Sequence, residues 1–394
     1  MRTINLLDKN SNVAILLAGI IALIIGVGVA RFVFTSLLPP MLEDYLTISF
    51  AGVLASINYV GYLAGSIFSV FIKDINTKVK FFRFGMFLCF ITTLMLGITT
   101  SDTIWVISRV LAGFGAAMAL VVGSAIVMNK LNIQNKTKAM GIHFSGIGFS
   151  ILISDLIVRI VFYFNGTWQF AWVVLAIFAF VMSFYSMYIL SYDNEVKQNS
   201  VKHHIDKKLF SPFVVILIMA YFCEGVGMVV QGTFLPDIIN SLEGLEGFGS
   251  FTWTLVGFAG IPSCIIWMML AHKYGSVNII ILAMFLQVIG IMISALTNNI
   301  YLNLFSGILY GGTFVGLVAL FMNLGGKLAG NNPDMLMGAL TTAYGIGQVI
   351  APLYSVALIE HFKTYDYTLY VTAFIVSGGI ALLIFTKIFK LKGE

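Results

Sequence analysis

Residues 13–40 read VAILLAGIIALIIGVGVARFVFTSLLPP, a run with a single charge, Arg31, that closes on Pro39-Pro40. A hydrocarbon core about 30 Å thick needs about 20 apolar residues at 1.5 Å each, so the run is long enough to cross it as a helix. It is too long for the apolar core of a signal peptide, and no small-residue cleavage site follows it. It therefore reads as a retained first helix behind the polar opening MRTINLLDKN.

Eleven similar runs lie downstream, at about 48–72, 82–99, 103–128, 138–163, 168–191, 209–235, 249–271, 277–297, 299–323, 335–359 and 367–388. Turn formers and charges separate them, as in Asn331-Asn-Pro-Asp334. The chain as a whole agrees. Of its 394 residues 59% are apolar and 10% charged, against about 45–50% and about 25% in a soluble domain. So few charges cannot cover a water-facing surface, which excludes an ordinary cytosolic enzyme, a nucleic-acid binder and a disordered chain. Cys89, Cys223 and Cys264 all fall in apolar runs, so the sequence holds neither a disulfide framework nor a CxxC metal site.

Lysine and arginine set the orientation. The loops on the side of the amino terminus carry 18 of them, the loops on the other side carry Lys363 alone, and Arg31, Arg109 and Arg159 lie within spans. This alternation predicts twelve helices with both termini cytoplasmic. The pI near 8.9 is then a topology signal and calls for no nucleic acid.

The longest polar stretch, SYDNEVKQNSVKHHIDKKL (191–209), separates six spans from six. His203 and His204 within it lack further ligands at useful spacing, so it reads as a solvated linker. The domain plan is 1–191, a cytoplasmic linker at 192–208, and 209–394. The halves echo each other: Gly28 precedes Pro39 by the same interval as Gly225 precedes Pro236, and Ser145-Gly-Ile-Gly148 matches Tyr344-Gly-Ile-Gly347. Internal duplication with a site between the repeats is the plan of a secondary transporter. No GxxxxGK[ST] loop is present, since Gly326-Lys327 runs into Leu328, and no HExxH or GxSxG occurs. No ATP hydrolysis, cofactor or metal is expected.

Arg109-Val-Leu-Ala-Gly113-Phe-Gly115-Ala-Ala in span 4 resembles the R-x-x-x-G-x-G-x-A motif of the major facilitator superfamily. After span 2, Asp74-Ile-Asn-Thr77-Lys78 resembles its D-R-x-G-R loop, with Thr77 in place of glycine. His272-Lys273-Tyr-Gly275 holds the equivalent place after span 8, with His272 in place of the acid. Three further stretches resemble the YbfB/YjiJ-like bacterial branch: Arg31-Phe-x-x-Thr35-x-Leu-Leu-Pro39, Glu224-Gly-Val-Gly227 with Phe234-Leu-Pro236, and Thr342-Ala-Tyr344-Gly-Ile-Gly347-Gln348 with Pro352. The resemblance implies alternating access about a central cavity bordered by spans 1, 2, 7 and 11, and the loop residues Asp74, Lys78, His272 and Lys273 as a conformational switch.

Charges in hydrocarbon cost about 2.5–3.5 kcal/mol on insertion scales, so each has two readings. Arg31 lies roughly 12 Å below Pro39 along the helix. It is a cavity-facing cation for an anionic substrate group, or a snorkelling or ion-paired side chain. Glu224 lies near mid-membrane, where a low dielectric disfavours a charged carboxylate. That suits a proton carrier, the other reading being a fixed partner for a basic group such as Arg31. Arg109 and Asp155 on neighbouring spans can pair, either as structure or as a second proton site, with Arg159 reaching the interface. His143 is a titratable or a packing histidine. Asn58, Tyr59, Gln231, Tyr344 and Gln348 are candidate ligand contacts, and Gln287 in span 9 is assigned to structure. The 34 phenylalanines give no aromatic cage. Span 5 lacks the proline of the antiporter motif.

The sequence thus predicts an all-α polytopic protein of the bacterial cytoplasmic membrane, monomeric, with two pseudo-symmetric six-helix halves. It moves a small anionic or zwitterionic metabolite against protons, with export favoured and a carboxylate-rich, amino-acid-derived or metal-chelating compound as one cargo. Arg31 holds the substrate, with Arg109 in support. Glu224 carries the proton, with Asp155 second. The alternatives are a proton-coupled importer of an organic acid, a multidrug or lipid transporter, and a non-transporting sensor, which would normally add a soluble domain.

Overall fold

A computed structural model describes residues 6–132, 136–192, 211–329 and 333–389. Among the described residues twelve helices are long and apolar enough to cross a membrane. They are α1 (Asn12–Asp44), α2 (Ile48–Phe71), α3 (Ile75–Ile98), α4 (Asp102–Lys130), α5 (Ala139–Tyr163), α6 (Trp168–Ile189), α7 (Pro212–Asn240), α8 (Phe248–Tyr274), α9 (Ser276–Leu296), α10 (Ile300–Leu328), α11 (Leu336–Phe362) and α12 (Asp366–Ile388). Beyond Tyr192, the linker assigned to 192–208 lies outside the described residues, His203 and His204 included.

Several boundaries differ from the sequence reading, among them the start of α3 and the end of α1. The third span starts at Ile75 and not at 82, because Asp74 caps it: its carboxylate accepts from the Thr77 main-chain N–H at 2.7 Å. Lys78, Lys80 and Arg83 thus ride on the helix itself. Pro39 and Pro40 do not end α1, which continues to Asp44. Each proline withdraws one N–H, a loss that a packed membrane bundle tolerates.

Small residues set how closely the helices approach. A methyl group on Gly28 of α1 would lie 2.5 Å from the Ser150 carbonyl oxygen of α5, and one on Gly225 of α7 would lie 2.2 Å from that of Tyr344 in α11. The two halves therefore repeat one packing device. Between the halves, α5 meets α8 where Gly148 abuts the Ile261 main-chain nitrogen, and α11 meets α2 where Gly345 abuts Leu63.

Two helices are locally widened into i→i+5 turns, α1 over Ile24–Phe32 and α4 over Met118–Val122. They touch, Gly26 lying against Ala119. Such turns displace main-chain carbonyl groups from regular helical bonding and are frequent at functional sites. Arg31 sits in the last turn of the first.

Candidate functional site

The widened turn of α1 delivers Arg31 into the protein, where it is 6% exposed. Its guanidinium carbon lies 4.6 Å from the ring centre of Tyr59 and 4.4 Å from that of Tyr62, both on α2. A cation over aromatic faces is attracted by the ring quadrupole, but those faces accept no conventional hydrogen bond. Arg31 Nε and Nη2 are buried without a hydrogen-bond partner, and Arg31 makes no ion pair.

The other half supplies a matching wall. Gln231 on α7 is fully buried with neither amide atom partnered. On α11 the Tyr344 hydroxyl and Gln348 Oε1 also lack partners, although Gln348 Nε2 reaches Met228 Sδ at 3.5 Å. Tyr344 stacks on Tyr221, which stacks on Phe321, each pair with ring centres 4.5 Å apart. Phe32, next to Arg31, crosses into that half and packs against Trp253 and Phe314 at 6.1 and 5.9 Å. Tyr310 stacks on Phe314 and donates its hydroxyl to the Met228 carbonyl at 2.8 Å. Buried polar atoms are normally bonded, so these unpartnered donors and acceptors make this group the candidate site.

These rings are what the sequence reading missed. Tyr62 lies one turn from Tyr59 and Tyr221 one turn from Glu224, a spacing that could have flagged both. Trp253, Tyr310 and Phe314 carry no such signal amid so many aromatic residues.

Arg109 and Asn58 sit behind this wall. Arg109 Nη1 donates to the Ala30 carbonyl at 3.2 Å and Nε to the Leu54 carbonyl at 3.3 Å, while Asn58 Nδ2 donates to the Arg109 carbonyl at 3.0 Å. Arg109 therefore braces the widened turn that carries Arg31. It does not pair with Asp155. That carboxylate accepts instead from Arg159 Nε at 3.0 Å one turn away, from Ser36 Oγ at 3.0 Å, and from Thr254 Oγ1 of α8 at 2.5 Å. Arg159 has the shorter path, four residues along the same helix, and Arg109 is held by α1 and α2.

Glu224 is fully buried and forms no ion pair with Arg31. Its Oε1 accepts from Gln287 Nε2 of α9 at 3.3 Å, and its Oε2 has no partner. Gln287, assigned to structure from the sequence, is thus in contact with an ionisable group. Glu224 lies one turn from Tyr221, which stacks on Tyr344. His143 is fully buried and its Nε2 bonds Ser124 Oγ at 2.8 Å.

The loop residues lie far from this centre along the chain. Asp74 is exposed before α3, and the Thr77 N–H and hydroxyl that bond it hold its carboxyl below the usual carboxylate range. The Thr77 hydroxyl does so at 2.9 Å, a bond that the family's glycine could not make. Lys78 stands one turn on. His272 and Lys273 form the exposed last turn of α8, which Gly275 ends at φ 88°. Among the described residues no cluster of histidine, cysteine or acidic side chains is arranged to hold a metal.

Twelve spanning helices in two six-helix halves about a buried polar centre define a major facilitator superfamily transporter, which is not an enzyme. The chain belongs to the family described as "Uncharacterised MFS-type transporter YbfB", whose model matches residues 23–385. A crystal structure of the nucleoside transporter NupG is similar in fold, with a TM-score of 0.74 over 94% of this chain and 99% of that one. The sequences are 10% identical, so the likeness is one of fold. No curated protein matches the chain.

Proposed function

We propose that this transporter exports a small anionic or zwitterionic metabolite in exchange for protons, by rocking the halves 1–191 and 209–394 about the site between them. It works as a monomer in a bacterial cytoplasmic membrane with both termini in the cytoplasm. The lysine and arginine bias supports that sidedness, and the family resemblance supports export. One observation supports the substrate reading: Arg31 presents buried donors with no acceptor, and buried polar atoms of Gln231, Tyr344 and Gln348 in the other half are also unpartnered. An anion satisfies the cation, while Gln231, Tyr344 and Gln348 offer neutral bonds to the rest of the ligand. A neutral nucleoside, the cargo in the name of the similarly folded transporter, would stack on the rings but leave Arg31 without its counter-charge.

Glu224 is the proton carrier and Asp155 a second titratable site. Asp74, Lys78, His272 and Lys273 switch the loops during rocking, and Asn58 and Arg109 support the binding wall.

The test begins with metabolites compared between cells and medium, with and without the protein, which gives direction and cargo together. An anionic compound that builds up inside cells lacking the protein is the expected result, and a neutral one overturns the substrate class. Binding of that compound to purified Arg31→Ala should weaken at least about tenfold, since a hydrogen bond to a charged group contributes about 1.5–3 kcal/mol. Equal affinity rejects the role of Arg31. In proteoliposomes Glu224→Gln should abolish uphill movement under a pH gradient and spare exchange; undiminished accumulation rejects the proton role.

A further inference from the structure

The proton-carrier reading of Glu224 leaves open what holds that side chain, and the inference here rests on that reading. Glu224 Oε1 takes its hydrogen bond from Gln287 Nε2. The remaining oxygen of each group, Glu224 Oε2 and Gln287 Oε1, is buried and unpartnered. A carboxylate can only accept, and the amide oxygen can only accept. The set therefore lacks one hydrogen. A proton on the Glu224 carboxyl supplies it, because a carboxylic acid donates its O–H to an amide oxygen while its other oxygen still accepts from the amide N–H.

The surroundings offer Glu224 no better partner. On α7 the titratable neighbours are Tyr221 and Cys223, on α10 Tyr310, and on α11 Tyr344. From α12, Val376 packs against Gly227 and Gly379 against Cys223, neither of them titratable. Arg31 of α1 acts on Tyr310 and Tyr344 but pairs with no acid. Gly227, one turn beyond Glu224, sets the approach of α12: a methyl group there would lie 2.4 Å from Val376 Cγ2, and at an ordinary contact distance of 3.7 Å from both Gln287 amide atoms.

We infer that Gln287 is the positioning residue of the proton carrier, gripping protonated Glu224 as an acid–amide pair. When the proton passes from the carboxyl O–H to water, one of the two bonds is lost and an unpaired carboxylate remains in a dry pocket. Buried unpaired charge is costly, so the deprotonated protein leaves this closed arrangement for one that hydrates Glu224.

Infrared difference spectroscopy on the full chain in proteoliposomes tests this, with a pH step as the only probe. The expected wild-type spectrum has a protonated-carboxyl C=O band at neutral pH that Glu224→Gln removes. Gln287→Leu should move that band to higher frequency, because the acid loses both amide bonds. Gln287→Asn, which keeps the amide but withdraws it by one methylene, should do the same and serves if the leucine variant does not fold. A band that Glu224→Gln removes and neither Gln287 variant moves overturns the role of Gln287 and leaves the carrier standing. Absence of any Glu224-dependent band at every pH removes the carrier reading and this inference together.

Discussion

Arg31 and Arg109 are two buried arginines with opposite surroundings. Arg109 donates to main-chain carbonyl groups of two neighbouring helices, whereas Arg31 has aromatic faces and unpartnered donors. Their removal should therefore differ. Arg109→Ala takes away two charge-assisted bonds and strands the Ala30 and Leu54 carbonyls, so it should destabilise the protein by about 2–4 kcal/mol. Arg31→Gln removes a buried charge that no acid balances and should leave stability unchanged or raise it. Thermal unfolding of both variants in detergent checks the contrast; an Arg31→Gln protein as unstable as Arg109→Ala would make Arg31 a structural residue. From sequence the two looked alike, each a lone charge in an apolar run. The sequence reading gave Arg31 the substrate and Arg109 a supporting place or a pair with Asp155.

At the scale of the helix, the length of the apolar runs was enough to find all twelve, because a chain in hydrocarbon must bond its own backbone and 20 residues are needed to cross. What the runs could not locate was local winding. The i→i+5 turns in α1 and α4 arise where glycine and alanine let the two helices touch, a relation between segments far apart in the chain. The glycines make a sharper prediction. Gly225→Ala would drive a methyl group against the Tyr344 main chain, which cannot move aside as a side chain would, and should cost about 1–3 kcal/mol. Gly312→Ala on α10 meets nothing within 4 Å and should gain up to about 1 kcal/mol from helix propensity. Unfolding temperatures of the pair give the readout, and equal effects would mean that α7 and α11 are not held at the distance described.

At the scale of the whole molecule, three hydrogen bonds join the halves among the described residues: Thr35 Oγ1 to the Gly232 carbonyl, Ser56 Oγ to the Val349 carbonyl, and Thr254 Oγ1 to Asp155. All lie at the middle of the bundle or towards the end away from Asn12. Thr254→Val removes a donor to a carboxylate without changing shape. A loss of roughly 1.4 kcal/mol shifts the ratio of two arrangements tenfold, so the variant should populate a state opened between α5 and α8. Spin labels at Asn165 and Glu246, exposed in loops at that end, should report a longer distance in Thr254→Val than in the parent chain. An unchanged distance distribution would show that this bond does not hold the end shut.

Hydrophobicity and the placement of lysine and arginine determined, without further help, the twelve crossings, the division into repeats and the orientation expected of them. These follow from the free energy of moving each residue type between water and hydrocarbon, which is a property of the chain alone. Which charges meet was decided only by the tertiary structure. Asp155 went to Arg159, Ser36 and Thr254, Arg109 to carbonyl groups, Glu224 to Gln287, and Arg31 to tyrosine faces. Partner choice depends on distances of a few ångströms between helices, and those are set by where small residues let the helices close.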